Sequence, residues 1–209
     1  MGSDNNKKTD RRVLYTKKII KDTLVEELNK KNFQEISITN VCKKADISRT
    51  TFYLHYKNLI DVVEDMVDEL IDYWSPFFKR VIQIYKDCDD DTESRKIYAD
   101  NSNIETIAKG LSYRSIFRDS NLLMVILNRI NEKRKDAVTY FLVEELGIDK
   151  KRAEAIFYIH INGFIAAAIN MECESAQDWI DYQETIDILF GGGFREIKKY
   201  FSKKKNNSP

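Results

Sequence analysis

The chain has 209 residues, 43% of them hydrophobic, enough to bury one large core or two small ones. Lys plus Arg equals Asp plus Glu at 34 each, so the whole-chain charge predicts no partner. The balance conceals an asymmetry: residues 1–60 hold 13 basic and 7 acidic side chains, residues 61–209 hold 21 and 27. A basic head on an acidic body suits an anionic partner for the head.

The three cysteines, Cys42, Cys88 and Cys173, lie far apart and form no C-x-x-C or Cys/His cluster. They predict no metal site, no disulfide framework and a reducing, cytoplasmic setting. No apolar run approaches the ~18 residues that a membrane span needs. The opening MGSDNNKKTD lacks the apolar stretch of a signal peptide.

Helical periodicity dominates, and only two prolines and seven glycines interrupt it. The first helix is expected from a cap at Thr9 or Asp10 to about Lys31, with Ile20, Leu24 and Leu28 as its buried stripe. Basic residues crowd its N-terminal side, against the preference of the helix dipole for acids there. Ser37 caps a short helix, Ile38 to Ala45. Asp46-Ile47 makes the turn, and Ser48 caps a third helix from Arg49 to about Tyr56.

A fourth helix follows from about Asn58 to Tyr85, kinked near Ser75 by Pro76. The polar stretch Asp87 to Asn103 reads as a loop, without the alternating acids and central glycine of a calcium loop. Short helices are expected at Ile104 to Leu111 and Tyr113 to Arg118. A long one should run from Asn121 to Leu146, ended by Gly147. The last two span about 150–172, the most apolar, and about 176–202, capped by Ser175 and open to interruption at Gly191-Gly192-Gly193.

Two short helices joined by a tight turn and braced by a longer one make a helix-turn-helix. The second short helix would enter a major groove N-terminus first. Arg49 on its first turn can reach G O6/N7 in bidentate fashion. Thr50 and Thr51 are small and offer hydroxyls and methyls. Tyr53 and His55 can donate to phosphate, Lys57 adds charge, and Ser37, Thr39 and Ser48 sit at helix N-termini that favour anions. Ala45, Ile47, Phe52 and Tyr56 are left to hold the helix to its neighbours.

The run SITNVCKKADISRTTFYLHY, Ser37 to Tyr56, resembles the DNA-binding motif of TetR-family transcriptional regulators, in the branch common in low-GC Gram-positive bacteria. The resemblance covers about residues 10–70; the remainder is similar in layout only. It implies an all-α protein with an N-terminal three-helix helix-turn-helix domain, residues 1–57, and a larger helical regulatory and dimerisation domain, residues 58–209. It further implies a repressor that binds an inverted-repeat operator in double-stranded DNA as a homodimer through the last two long helices. Release by a small-molecule effector is part of the same implication.

Two residues depart from the family pattern: Asp46 replaces the glycine of the turn, and Leu59 replaces a phosphate-binding lysine at the start of the fourth helix.

Candidate effector contacts are Tyr113, Phe117, Tyr140, Phe157, His160 and Phe164; at helical spacing such aromatics are more often plain core, and a histidine like His160 is more often a satisfied core or interface residue. The small-residue run Gly163 to Ala168 suits internal packing or a dimer seam. No nucleophile motif, metal set or glycine-rich phosphate loop points to an enzyme, and no cofactor is expected. The competing reading is a helical co-regulator or nucleoid-associated interaction protein without a sharp operator, which the loss of a phosphate contact at Leu59 favours.

Overall fold

The computed structural model describes residues 3–72, 112–170 and 176–206; among them there is no strand, and the fold is all-α. The described helices are α1 (Ser3–Leu28), α2 (Ile38–Lys44), α3 (Arg49–Tyr53), α4 (residues 59–72), α5 (Arg114–Arg118), α6 (Leu123–Leu146), α7 (Lys150–Asn170) and α8 (Ala176–Asn206). The expected kink at Pro76, the polar stretch Asp87 to Asn103, the helix Ile104 to Leu111 and the cap at Ser175 lie outside the described residues.

Helix α1 begins at Ser3 rather than at a cap near Thr9 or Asp10. Nothing between these positions is proline or glycine, so the backbone ladder continues without a cap there. The helix ends early, at Leu28, where the N–H groups of Lys30 and Lys31 both turn back to the Glu27 carbonyl at 2.9 and 3.1 Å. A single 3-10 turn, Phe33–Glu35, follows; its short length left no periodic signal in the sequence.

The two caps of the helix-turn-helix form as the sequence implies. Ser37 accepts the Asn40 N–H at 3.2 Å and Ser48 accepts the Thr51 N–H at 3.0 Å. Between them Asp46 adopts the left-handed region, φ 52, the one non-glycine to do so among the described residues. The Ile47 N–H then reaches the Cys42 carbonyl at 3.0 Å, closing a Schellman motif with Asp46 where glycine is usual. Aspartate tolerates this conformation; a β-branched side chain does not. Asp46→Val is expected to lower unfolding free energy by ~1–2 kcal/mol, with Asp46→Gly tolerated. Denaturant titration checks this, and an unshifted midpoint in the valine variant would contradict it.

Helix α3 is shorter than its expected end at Tyr56: Leu54 is its C-cap, and the His55 and Tyr56 N–H groups both return to the Phe52 carbonyl. Helix α4 is then capped by Asn58, whose side chain accepts the Asp61 N–H at 3.0 Å, while Asp61 accepts the Lys57 N–H at 2.8 Å.

The chain packs as two compact units, the first comprising Met1–Glu69 and Tyr113–Arg129, the second Leu70–Ser112 and Ile130–Pro209. The division expected after residue 57 falls inside the first unit. The reason is the core: Ile20 and Leu24 of α1, Val41 of α2 and Phe52 of α3 are sealed with Val62, Val63 and Met66 of α4 and with Ile116, Leu122 and Ile126, all fully buried. One long helix and two short ones cannot bury these side chains alone, so α4 and the 113–129 segment complete the unit. Asp119 fixes that segment, accepting the Phe33 N–H at 2.5 Å and the Asn121 N–H at 2.8 Å.

In the second unit, Leu142, Leu146, Ile148 and Ala153 are buried against Phe194, Ile197 and Phe201. Gly147, at φ 64, ends α6. Asp149 caps α7 by accepting the Arg152 N–H at 2.9 Å. Helix α8 runs unbroken through Gly191-Gly192-Gly193. Glycine weakens a helix by about 1 kcal/mol per residue but removes no backbone hydrogen bond. The aromatic contact of Phe190 with Phe194, centroids 6.2 Å apart, brackets the glycines and holds the turn.

Candidate nucleic-acid interface

Every side chain of α3 is divided between two faces. Phe52 is fully buried, with its ring edge-on to Tyr53 at 5.7 Å and tilted against Tyr56 at 5.9 Å. On the opposite face Arg49, Thr50 and Tyr53 are exposed, and Thr51 and His55 are half-buried beside them. Ser37, Thr39, Ser48 and Lys57 are also exposed. The nine residues singled out in the sequence therefore all reach solvent on α2, α3 and their flanks, none of them sealed in the core.

Their commitments differ. The hydroxyls of Ser48 and Thr51 lie 2.9 Å apart and the Ser48 oxygen also serves the cap, so both are partly satisfied within the protein. Arg49 makes a single long hydrogen bond to the Tyr53 hydroxyl, 3.4 Å, with its guanidinium 5.9 Å from the ring centre. The hydrogen bond to the Tyr53 hydroxyl is the leading cause that raises the Arg49 pKa above its ordinary value, so the cation persists at any working pH. A guanidinium held so loosely keeps its donors available for a base edge or a phosphate.

Leu54, 76% exposed at the C-cap of α3, is an outward apolar group with no counterpart among the nine. Leu59 is buried, 8% exposed, and belongs to the core of the first unit. Its departure from lysine thus places an apolar side chain inward, and the helix end around it is satisfied by Asn58 and Asp61.

The motif is braced from below by Glu27, 2% exposed at the end of α1. Lys31 reaches its carboxylate at 2.6 Å, and Lys44 of α2 pairs with the other oxygen. The sequence signal was the Glu27/Lys31 spacing of i, i+4; the third partner comes from another helix and was invisible. The hydrogen bonds from Lys31 and then Lys44 outweigh burial and hold the Glu27 carboxyl down to about 2, against an ordinary 4.5.

Because the folded-state value lies below the unfolded one, this triad stabilises the fold fully above pH 4.5 and loses its contribution as pH falls toward 2. Glu27→Gln should therefore reduce stability at neutral pH and flatten its fall across that acid window. An identical pH profile by thermal denaturation would contradict the assignment.

The candidate effector contacts are divided between the two units. In the first, Tyr113 is buried with its hydroxyl donated to Glu69 at 2.7 Å, and Phe117 is buried. In the second, Tyr140 is 69% exposed, whereas Phe157 is fully buried as core. His160 stands edge-on to Phe190, ring centres 4.5 Å apart, with burial lowering its pKa and its Nδ1 lacking a hydrogen-bond partner. The Phe164 side chain lies outside the described ones. Among the described residues no group of His, Cys, Asp and Glu could hold a metal ion, and no helix is long and apolar enough to cross a membrane.

No family model matches the chain, and no solved structure matches it significantly. Among curated proteins the chain is similar to the "Uncharacterized HTH-type transcriptional regulator YxbF" of Bacillus subtilis (strain 168), 31% identical over 75 residues. The match takes in 34% of this chain and 20% of the relative, so the chain spans a small part of that protein's length.

Proposed function

We propose that this chain is a helix-turn-helix transcriptional regulator of the TetR kind, reading an inverted-repeat operator as a homodimer. The observation that carries the reading is the division of α3: Arg49, Thr50 and Tyr53 face solvent while Phe52 anchors the helix from behind. The similarity to a protein described as an HTH-type transcriptional regulator supports it. In this reading α3 enters the major groove N-terminus first and Arg49 reads a guanine edge. Ser37, Thr39, Tyr53, His55 and Lys57 grip phosphates on either side, and Thr50 and Thr51 contact bases at close range.

The second copy pairs through α7 and α8. Exposed Ile159 and Leu189, at 65% and 71%, support an apolar seam on these helices. Two recognition helices related by a two-fold axis meet major grooves roughly 34–36 Å apart. The regulator acts as a repressor by occupying this site, and a small-molecule effector that prefers a differently spaced dimer releases it.

The reading is tested by titrating the protein onto mixed-sequence duplex DNA at several salt concentrations. Log affinity is expected to fall linearly with log salt, by about 0.9 per phosphate neutralised. No binding at low salt overturns the proposal. Sedimentation at micromolar concentration tests the dimer, which a monomer would contradict.

A further inference from the structure

Behind the exposed face of α3 lies a polar network within the first unit. Lys21 of α1 is 4% exposed, and a lysine so buried requires compensation. It lies between two carboxylates of α4, Asp65 at 3.0 Å and Glu69. Each carboxylate has a tyrosine as second partner. The Tyr56 hydroxyl donates to Asp65 at 2.6 Å, and the Tyr113 hydroxyl donates to Glu69 at 2.7 Å. Lys17 completes the set, 3.4 Å from Asp65 and 5.2 Å from the centre of the Tyr56 ring. Two lysines thus face two carboxylates, with a tyrosine at each end.

The ends are what give the network a role. Tyr56 stands three residues beyond the end of α3 and its ring packs on Phe52, the anchor of that helix. Tyr113 is the N-cap residue of α5, distant in sequence, and meets α4 at Glu69, four residues beyond the Asp65 that holds Tyr56. Burial, and then the carboxylates they serve, push both tyrosine pKa values up, so each hydroxyl stays a donor across the working pH range. Asp65 stays charged: burial opposes its ionisation, but the Tyr56 hydroxyl and Lys21 outweigh that and lower its pKa.

Glu69 and Asp65 share Lys21, so the Tyr113 hydroxyl, by meeting part of the Glu69 charge, sets how Lys21 is divided between the two carboxylates and with it the placing of Asp65 against the Tyr56 hydroxyl. We infer that Tyr113 is a positioning residue for the recognition helix, acting on it through Glu69, Lys21, Asp65 and Tyr56. This rests on the DNA-binding reading above and adds to it a specific route by which the α5 end of the unit sets the seating of α3.

The test compares the full chain with Tyr113→Phe, Tyr56→Phe and the double variant on two duplexes of equal length. One carries the sequence enriched by selection with the wild-type protein and the other its scramble. Tyr113→Phe is expected to lower affinity for the enriched duplex by about 5–10-fold, at most the net worth of one ordinary hydrogen bond. Affinity for the scramble should stay within about twofold, because phosphate attraction is untouched. The double variant should lose little more than the worse single one, since both act through one network.

Unchanged affinity for the enriched duplex, an equal loss on both duplexes, or losses that multiply in the double variant would overturn the inference. Should Tyr113→Phe fail to fold, Glu69→Gln breaks the same route and is expected to show the same selective loss. A wild-type protein that binds both duplexes alike overturns the DNA-reading proposal itself, an outcome separate from a wild type that discriminates and a variant that does so equally well.

Discussion

Arg49→Ala is expected to weaken binding to the operator by ~1–3 kcal/mol and to relax the preference at one base pair. Arg49 opens α3, the point of the recognition helix closest to the groove floor in an N-terminus-first approach. Its guanidinium is exposed and tied only by the 3.4 Å bond to the Tyr53 hydroxyl, so little has to be broken before it meets a base. A bidentate pair with guanine discriminates against other bases, and its loss leaves phosphate contacts intact. The variant should fold normally, since an exposed substitution with so slight a contact changes stability by about 0.5 kcal/mol or less. Titration onto the operator and onto every single-base variant of one half-site checks both parts. An equal loss on all sequences would reassign Arg49 to the phosphate backbone.

Phe52→Ala should cost ~3–5 kcal/mol of stability, the range for emptying a fully buried phenylalanine site. That is a large share of the ~5–15 kcal/mol that holds an ordinary domain folded. The position is sensitive because α3 has only five residues and cannot persist without tertiary support. Phe52 supplies most of that support, as the one buried residue of the helix. It also backs Tyr53 on the exposed side and Tyr56 on the network side. Denaturant unfolding should therefore show a much lower midpoint, and DNA binding should vanish with it. A loss below about 1 kcal/mol would mean that the site collapses around the gap, and that α3 is held by other contacts.

The helix-turn-helix was legible in the sequence because its determinants are local. Ser37 and Ser48 announce their caps, Asp46 is a side chain able to take the left-handed turn, and the spacing of Val41, Ala45, Phe52 and Tyr56 marks the inward face. Helix α3 is shorter than its apolar spacing suggests, since Tyr56 continues the spacing of Phe52 while the backbone has already turned at Leu54. Periodicity cannot distinguish a residue on a helix from one that packs beside it after a turn.

The network of Lys21, Asp65, Glu69, Tyr56 and Tyr113 was not legible. It joins residues from four segments, and each residue alone reads as an ordinary solvated or core position. Tyr113 illustrates the point: its aromatic ring suggested a pocket lining, whereas its hydroxyl is committed to Glu69. Leu59 shows the reverse case. Against the family pattern it looked like a missing phosphate contact, yet it is core, and Asn58 and Asp61 satisfy the helix end beside it.

The central claim is that two copies of α3 read one inverted repeat. Selection of bound sequences from a random duplex library by the full chain tests it most directly. The expected result is enrichment of a palindrome whose half-site centres lie about 10 base pairs or a multiple apart, with at least one guanine in each half. Binding without an enriched sequence would contradict it and would favour a helical nucleoid-associated or co-regulatory protein in its place.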